Sequence, residues 1–269
     1  MGALQVDALA RRVVGDKDQH LRIAAERFDD LAAFFPADAA VNDDNGLVAP
    51  EALTDTAIQI LDVAERLFAS NGIDKVSLRE IVRASGQNNL SAAHYHFGSR
   101  EALIGKLLAR RIRTINVIRH QRMDELEATG RGGNVHAIAA TSVAVLGEVV
   151  KGMPWGPDYV RVVAQAVFSH NREIWSYLDP ATMSGHTRVR DMLRRALPEL
   201  APRVFKDRIW MLNNHATYSI ARWIQVNGPV SAANSRRFAA LIRNTSDFLA
   251  AGVAAPVGDP AQDGNAVSP

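Results

Sequence analysis

The sequence predicts an all-α protein: a small three-helix unit containing a helix-turn-helix, followed by a larger helical domain. Three observations carry this. Apolar residues recur every three to four positions through most of the 269-residue chain, and the two-residue alternation of strands is nearly absent. Between Ser77 and Ser99, two short apolar patterns are bounded by cap residues and glycines. In the last quarter, two long patterns each carry an apolar stripe, with Gly228-Pro229 between them.

Residues 1–53 form an N-terminal extension, expected to be partly ordered. There "DQHLRIAAERFDDLAAFF" sets Leu21, Ala25, Phe28, Leu31 and Phe35 on one helical face, and "ADAAVNDDNGLVAPE" is a linker. The three-helix unit spans 54–100. Its first helix, "TDTAIQILDVAERLFASNG", buries Ala57, Ile60, Leu61, Ala64, Leu67 and Phe68 and is capped by Gly72. Its second, "SLREIVRASG", opens with the Ser-x-x-Glu capping box of Ser77 and Glu80, buries Leu78, Ile81 and Val82, and ends at Gly86. Its third fits Asn89 to His96, with Gly98 as its stop.

The larger domain spans 101–252. Ser99 caps its first helix, and Glu101 sits at the favoured end of the dipole. That helix runs through Leu103, Leu107, Leu108 and Ile112 towards Leu126, until "TGRGGN" stops it. Helices over 134–151 and 158–170 follow, joined by the turn "GMPWGPD". Shorter pieces over 171–200 are broken by Pro180, Gly185 and Pro198. Phe205, Ile209, Leu212, Ala216, Ile220 and Trp223 make the first long stripe. Phe238, Leu241, Ile242, Thr245, Phe248 and Leu249 make the second. Together they offer more apolar face than one chain's core needs, so a homodimer built on 202–251 is expected, with Ile220 and Phe248 in its interface. The tail, 253–269, has little to bury and is expected to be disordered.

Composition narrows the function. There is no cysteine, which excludes disulfides, thiolate metal sites and cysteine nucleophiles and fits a reducing cytoplasm. No signal-type region follows Arg11 and Arg12, and "HAIAATSVAVLGEVV" is too short and interrupted to span a bilayer. A cytoplasmic protein without a membrane partner is expected. The net charge is only +2, but it is unevenly spread. Residues 1–53 hold 5 basic and 10 acidic side chains, 54–122 hold 11 and 6, and 123–252 hold 15 and 11. The basic excess per residue peaks around the helix-turn-helix, as an anionic partner there requires.

The stretch "SGQNNLSAAHYHFGSREAL", residues 85–103, combines exposed polar side chains, aromatics and helix punctuation. A helix-turn-helix places its second helix in the major groove of double-stranded DNA. Asn88, Asn89 and Ser91 are candidates to read base edges, and Asn is shaped for adenine. Asn89 is the first choice, with the role passing to Asn88 or Ser91 if the turn rotates the register. His94, Tyr95, His96 and Arg100, with Ser77 and Arg79 at the start of the second helix, are candidate phosphate and backbone contacts. Phe97 packs inward.

"ILDVAERLFASNGIDKVSLREIVRASG" followed by "HYHFGSREALIGKLL" resembles the DNA-binding domain of TetR-family transcriptional regulators over residues 56–108. The likeness lies in a glycine-ended first helix, a Ser/Thr-capped second helix, and an aromatic-rich third helix before Gly-Ser-Lys/Arg-Glu. It departs in a turn one residue longer between Gly86 and Phe97, and in His94 where the family has tyrosine, with Tyr95 beside it. The resemblance implies a homodimeric repressor on a pseudo-palindromic operator, dimerised by the last two helices and released by a small-molecule effector bound in the C-terminal domain. Met153, Trp155, Tyr159, Gln165, Phe168, Trp175 and Tyr177 are candidates to line that pocket.

No His-Glu-x-x-His, P-loop or Gly-x-Ser-x-Gly occurs, and "GRGGN" has no strand before it. His94 and His96 are two apart and share no helix face, so no metal pair is expected there. No catalytic residue, metal or cofactor is expected. A helical interaction module or enzyme without DNA binding is the alternative.

Overall fold

The computed structural model describes residues 53–258, apart from Asn88, Asn89, His170 and Arg172. The expectations for the N-terminal extension up to residue 52 and for the tail beyond 258 lie outside the described residues. Those residues hold ten helices and no strand. The first three are α1 (Asp55–Asn71), α2 (Leu78–Ala84) and α3 (Leu90–Phe97). Then come α4 (Arg100–Ala128), α5 (Val135–Gly152), α6 (Gly156–Phe168), the single turn α7 (Glu173–Ser176), α8 (Ser184–Ala196), α9 (Pro202–Asn227) and α10 (Ser235–Ala254).

The punctuation in the sequence acts as written. Thr54, Ser77, Ser99 and Asn134 each accept a hydrogen bond from the backbone N–H three residues on, at 2.9–3.2 Å, closing the open N-termini of α1, α2, α4 and α5. Gly72 and Gly98 end α1 and α3 with φ of 104° and 75°, a region that side chains avoid.

α5 is the central helix, packed against α4, α6, α8, α9 and α10. It is long and apolar enough by composition to cross a membrane, with mean hydropathy 1.3, but 61% of it is buried inside the domain. Its Ala, Val and Ile side chains are the core of a helical bundle.

Two expectations are corrected. Gly185 does not break a helix. It lies in the first turn of α8, where a Cβ would come within 2.4 Å of Asn116 Oδ1, so glycine lets α8 settle onto α4. The apolar stripes of α9 and α10 are also not surplus. Phe205, Ile209, Leu212, Ala216 and Ile220 are buried in the chain's own core, as are Phe238 and Leu249. Ile220 is therefore a core residue and not an interface residue. Only Phe248 of that set stands out, 72% exposed.

The small three-helix unit is joined to the rest through α1 and α4. Arg111 of α4 is buried and donates through Nε to both carboxylate oxygens of Glu65, at 3.1 and 3.0 Å, and through Nη2 to Asp62 at 2.8 Å. Arg110 donates to the same Asp62 at 2.8 Å. The Arg111 guanidinium lies over the Trp155 ring, 4.5 Å from its centroid, bringing the start of α6 into the joint. Burial pushes the Glu65 carboxyl up, and the facing guanidinium opposes that shift.

Arg111→Met alone should cost about 3–5 kcal/mol, because it strands the buried Glu65 charge. Glu65→Leu combined with Arg111→Met should recover most of that loss. Chemical denaturation of the three proteins checks this. Additive losses in the double variant would show that the pair is not the source of the effect.

Candidate nucleic-acid interface

The helix-turn-helix is built from the inside outward. Ile81 and Val82 of α2 and Ala93 and Phe97 of α3 are buried with Ile60, Leu61, Phe68, Leu103 and Ile104. This fixes the two short helices on α1 and α4. Gly86, at φ 73°, turns the chain after α2. The buried Ser85 ties that turn down twice: its hydroxyl donates to the Val82 carbonyl at 2.8 Å, and its own carbonyl accepts from Gln59 of α1 at 3.1 Å. Asn88 and Asn89, expected to read bases, lie outside the described residues.

With the apolar side fixed, α2 and α3 leave one polar surface. Ser77, Arg79, Arg83, Ser91, His94 and Tyr95 are all exposed. Tyr95 is 87% exposed, and its ring meets that of His96 edge-on at 5.3 Å. His94 Nδ1 donates to the Gly98 carbonyl at 2.9 Å, across the end of α3. Lys106 of α4 closes the C-terminus of α3, donating to the His96 carbonyl at 2.9 Å and lying 5.7 Å from the centre of the Phe97 ring.

Arg100 is placed differently from the expectation. Its Nε donates to the Val76 carbonyl at 2.8 Å, Nη1 reaches Glu101 at 3.3 Å, and the guanidinium sits over Phe68. It clamps the segment before α2 onto α4, and its Nη2 is left without a hydrogen-bond partner among the described residues. Arg83, which the sequence reading passed over, lies one turn after Arg79 on α2, and the i, i+4 spacing is the signal for it. Lys75, in the loop before α2, is also exposed. Lys75, Arg79 and Arg83 make no ion pair with another described residue, which leaves three cations around α2 available to phosphates.

The candidate effector residues do not converge. Gln165 and Phe168 line a cavity of about 560 Å³ between the loop after α1 and helices α6 and α9, together with Lys75, Arg161, Tyr218 and Arg222. Gln165 Oε1 accepts from the Ile73 N–H at 2.7 Å, tying α6 to the loop that leads into α2. Trp155 lies at the joint beside Arg111, and its ring meets that of Tyr159 edge-to-face at 5.8 Å. Tyr177 packs on Gly105 of α4, and its hydroxyl donates to Glu173. Met153 and Trp175 pack on the core's edge.

Residues 60–107 match the family model for bacterial regulatory proteins of the tetR family, and residues 144–252 match a tetracyclin repressor-like C-terminal domain. No curated protein is significantly similar to the chain. Among solved structures, the fatty acid degradation regulator FadR from Bacillus halodurans is similar with a TM-score of 0.55 at 14% identity, over 76% of this chain and 99% of that one. The transcriptional regulator FadR from Bacillus subtilis, solved with stearoyl-CoA, is similar with a TM-score of 0.50 at 13% identity, over 72% of this chain and 98% of that one. At these identities the likeness is one of fold.

Tyr95→Ala should leave stability within about 0.5 kcal/mol, since its ring buries little, and should still weaken binding to duplex DNA. Arg100→Ala should do the reverse in stability, costing roughly 1–3 kcal/mol through the freed Val76 carbonyl and lost packing on Phe68. Thermal melts and DNA titrations of both variants test this. An Arg100→Ala protein that melts like the parent would return that residue to the phosphate contacts.

Proposed function

The chain belongs to the tetR family of bacterial regulatory proteins, and on that premise we propose a dimeric repressor that holds an operator through α2 and α3 and lets go when a small molecule occupies its C-terminal domain. The observation that carries this reading is the polar surface of α2 and α3, with Tyr95 exposed and three unpaired cations, set on a core rigid enough to hold it in register. Asn88, Asn89 and Ser91 are proposed for base edges. Ser77, Lys75, Arg79, Arg83, His94, Tyr95 and His96 are proposed for the backbone. In this reading α6 carries the effector's influence, because one helix touches Arg111 at its start and Ile73 near its end.

The dimer is proposed on the outer faces of α9 and α10, not on the stripes that fill the core. Ala240, Asn244, Phe248 and Ala251 share an exposed face of α10, and Met211, His215, Tyr218 and Arg222 share one of α9. Small residues around a single phenylalanine allow two helices to approach closely, and a two-fold axis pairs each face with its copy.

Selection of binding sites from random duplex DNA by the purified protein should return an inverted repeat, with half-sites spaced by about one helical turn or a multiple of it. Log affinity should fall linearly with log salt, with a slope of roughly 0.9 per phosphate neutralised. A flat plot or no selected sequence would sink the repressor reading and leave a helical interaction module.

Phe248→Asp should give monomers in sedimentation while keeping the parent's melting temperature within a few degrees. Ile220→Asp should unfold the chain instead, because its charge would be buried without a partner. A wild-type protein that sediments as a monomer at micromolar concentration overturns the dimer.

A further inference from the structure

Arg119 is a buried cation that no acid among the described residues neutralises. It lies two turns beyond Arg111 on α4 and is 3% exposed. Its Nη1 donates to Asn116 Oδ1 at 3.0 Å and stands 3.4 Å from His186 Nδ1. Among the described residues no carboxylate lies within ion-pair distance of it. Burial without a counter-charge pulls the guanidinium down to about 10, and the same burial, with Arg119 alongside, holds His186 well below its ordinary value as a neutral ring. The comparison with Arg111 is internal to one helix: there the same side chain, equally buried, meets two carboxylates.

Tyr159 of α6 is buried, its hydroxyl makes no hydrogen bond with another described residue, and it is near enough to feel the charges of both Arg119 and Glu65. Burial raises it above the ordinary phenol range, so it is a donor throughout the physiological range. A buried guanidinium and a buried phenol within reach of its charge are complementary to one oxyanion. Ile115 and Met123, one turn to either side of Arg119 on α4, are buried and apolar.

We propose that Arg119 and Tyr159 seat the carboxylate of the effector, so that the ligand is a small organic acid whose hydrocarbon part lies along Ile115 and Met123. The inference rests on the effector reading above and narrows it to a chemical class. The acid accepts from the guanidinium and from the phenol, which supplies the counter-charge that the chain itself omits. The seat is closed in this conformation, with Gly185 pressed against Asn116 and Asn116 Nδ2 donating to the Thr182 carbonyl at 2.8 Å. Occupancy therefore moves the start of α8 away from α4, and the acid favours that open arrangement by its difference in affinity between the two.

The test uses full-length protein, sodium butanoate, octanoate and benzoate, and the primary amide of each acid, with thermal shift and operator release as readouts. At least one acid should raise the melting temperature and release DNA, and its amide should do neither. Arg119→Met should melt at or above the parent without ligand, because it removes an uncompensated buried charge, and should lose the response to acid. Tyr159→Phe should keep the fold and weaken the response several-fold, and Arg119→Lys should retain part of it. If Arg119→Met melts well below the parent, Arg119 is a structural residue and the proposal fails. If an amide acts as well as its acid, or the acid still acts on Arg119→Met, the carboxylate seat is wrong while the effector reading stands. Silence from every acid and amide also overturns the seat. The effector reading is then decided separately, by whether a small-molecule cell extract strips the operator from the protein.

Discussion

The fold hinges on one buried ion pair. Arg111 leaves α4 and finds Glu65 and Asp62 on α1, and its other face is covered by Trp155 at the start of α6. Three helices from two parts of the chain therefore share one guanidinium. A pair buried this deeply is a poor source of net stability, because both charges lose water. It is a strong source of geometry, since neither partner tolerates another neighbour. The small unit is held at one angle to α4, and the surface made by α2 and α3 inherits that angle.

The same joint explains why α6 is the natural lever. From the Arg111–Trp155 stack to the Gln165–Ile73 hydrogen bond the helix rises through ten residues, about 15 Å. The first end touches the interior of the large domain. The second touches the loop carrying Lys75 and leading to the cap at Ser77. A shift of α6 along its axis is felt at the entrance to α2 without passing through a flexible segment. On the proposed function, a ligand acts by favouring one of two seatings of this helix, and operator affinity changes by no more than its difference in affinity for them.

Much of the scaffold was legible because it depends on local rules. Ser77 and Ser99 are read as caps from local sequence and cap in the structure, where Thr54 and Asn134 do the same. Helix limits at 134–151 and 158–170 fall within two residues of α5 and α6. What the sequence does not reveal depends on distance in space. Nothing near Gly185 in sequence reveals that Asn116 lies against it. The stripes of α9 and α10 look like interface until α5 is known to bury them. Arg100 sits beside candidate phosphate contacts in sequence, yet its guanidinium is taken up by Val76 and Phe68. The pocket candidates were chosen by residue type alone, and type does not distinguish a core aromatic from one facing a cavity.

Charge shows the same division most clearly. The excess of basic residues over 54–122 reads as a field for DNA, but most of it is spent inside the fold. On α4, Arg110 and Arg111 meet Asp62 and Glu65, Arg113 meets Asp179, and Arg122 meets Glu125 and Glu148. Arg100 and Lys106 are bound to backbone carbonyls at the helix-turn-helix. What faces outward without an ion pair to another described residue is Arg66, Lys75, Arg79 and Arg83, and the last three lie around α2. Against this pattern Arg119 stands apart, since it is neither paired with an acid nor exposed to phosphate. On the carboxylate seat proposed above, this uncompensated charge is met by an anion from outside, whose binding stabilises the protein by mass action.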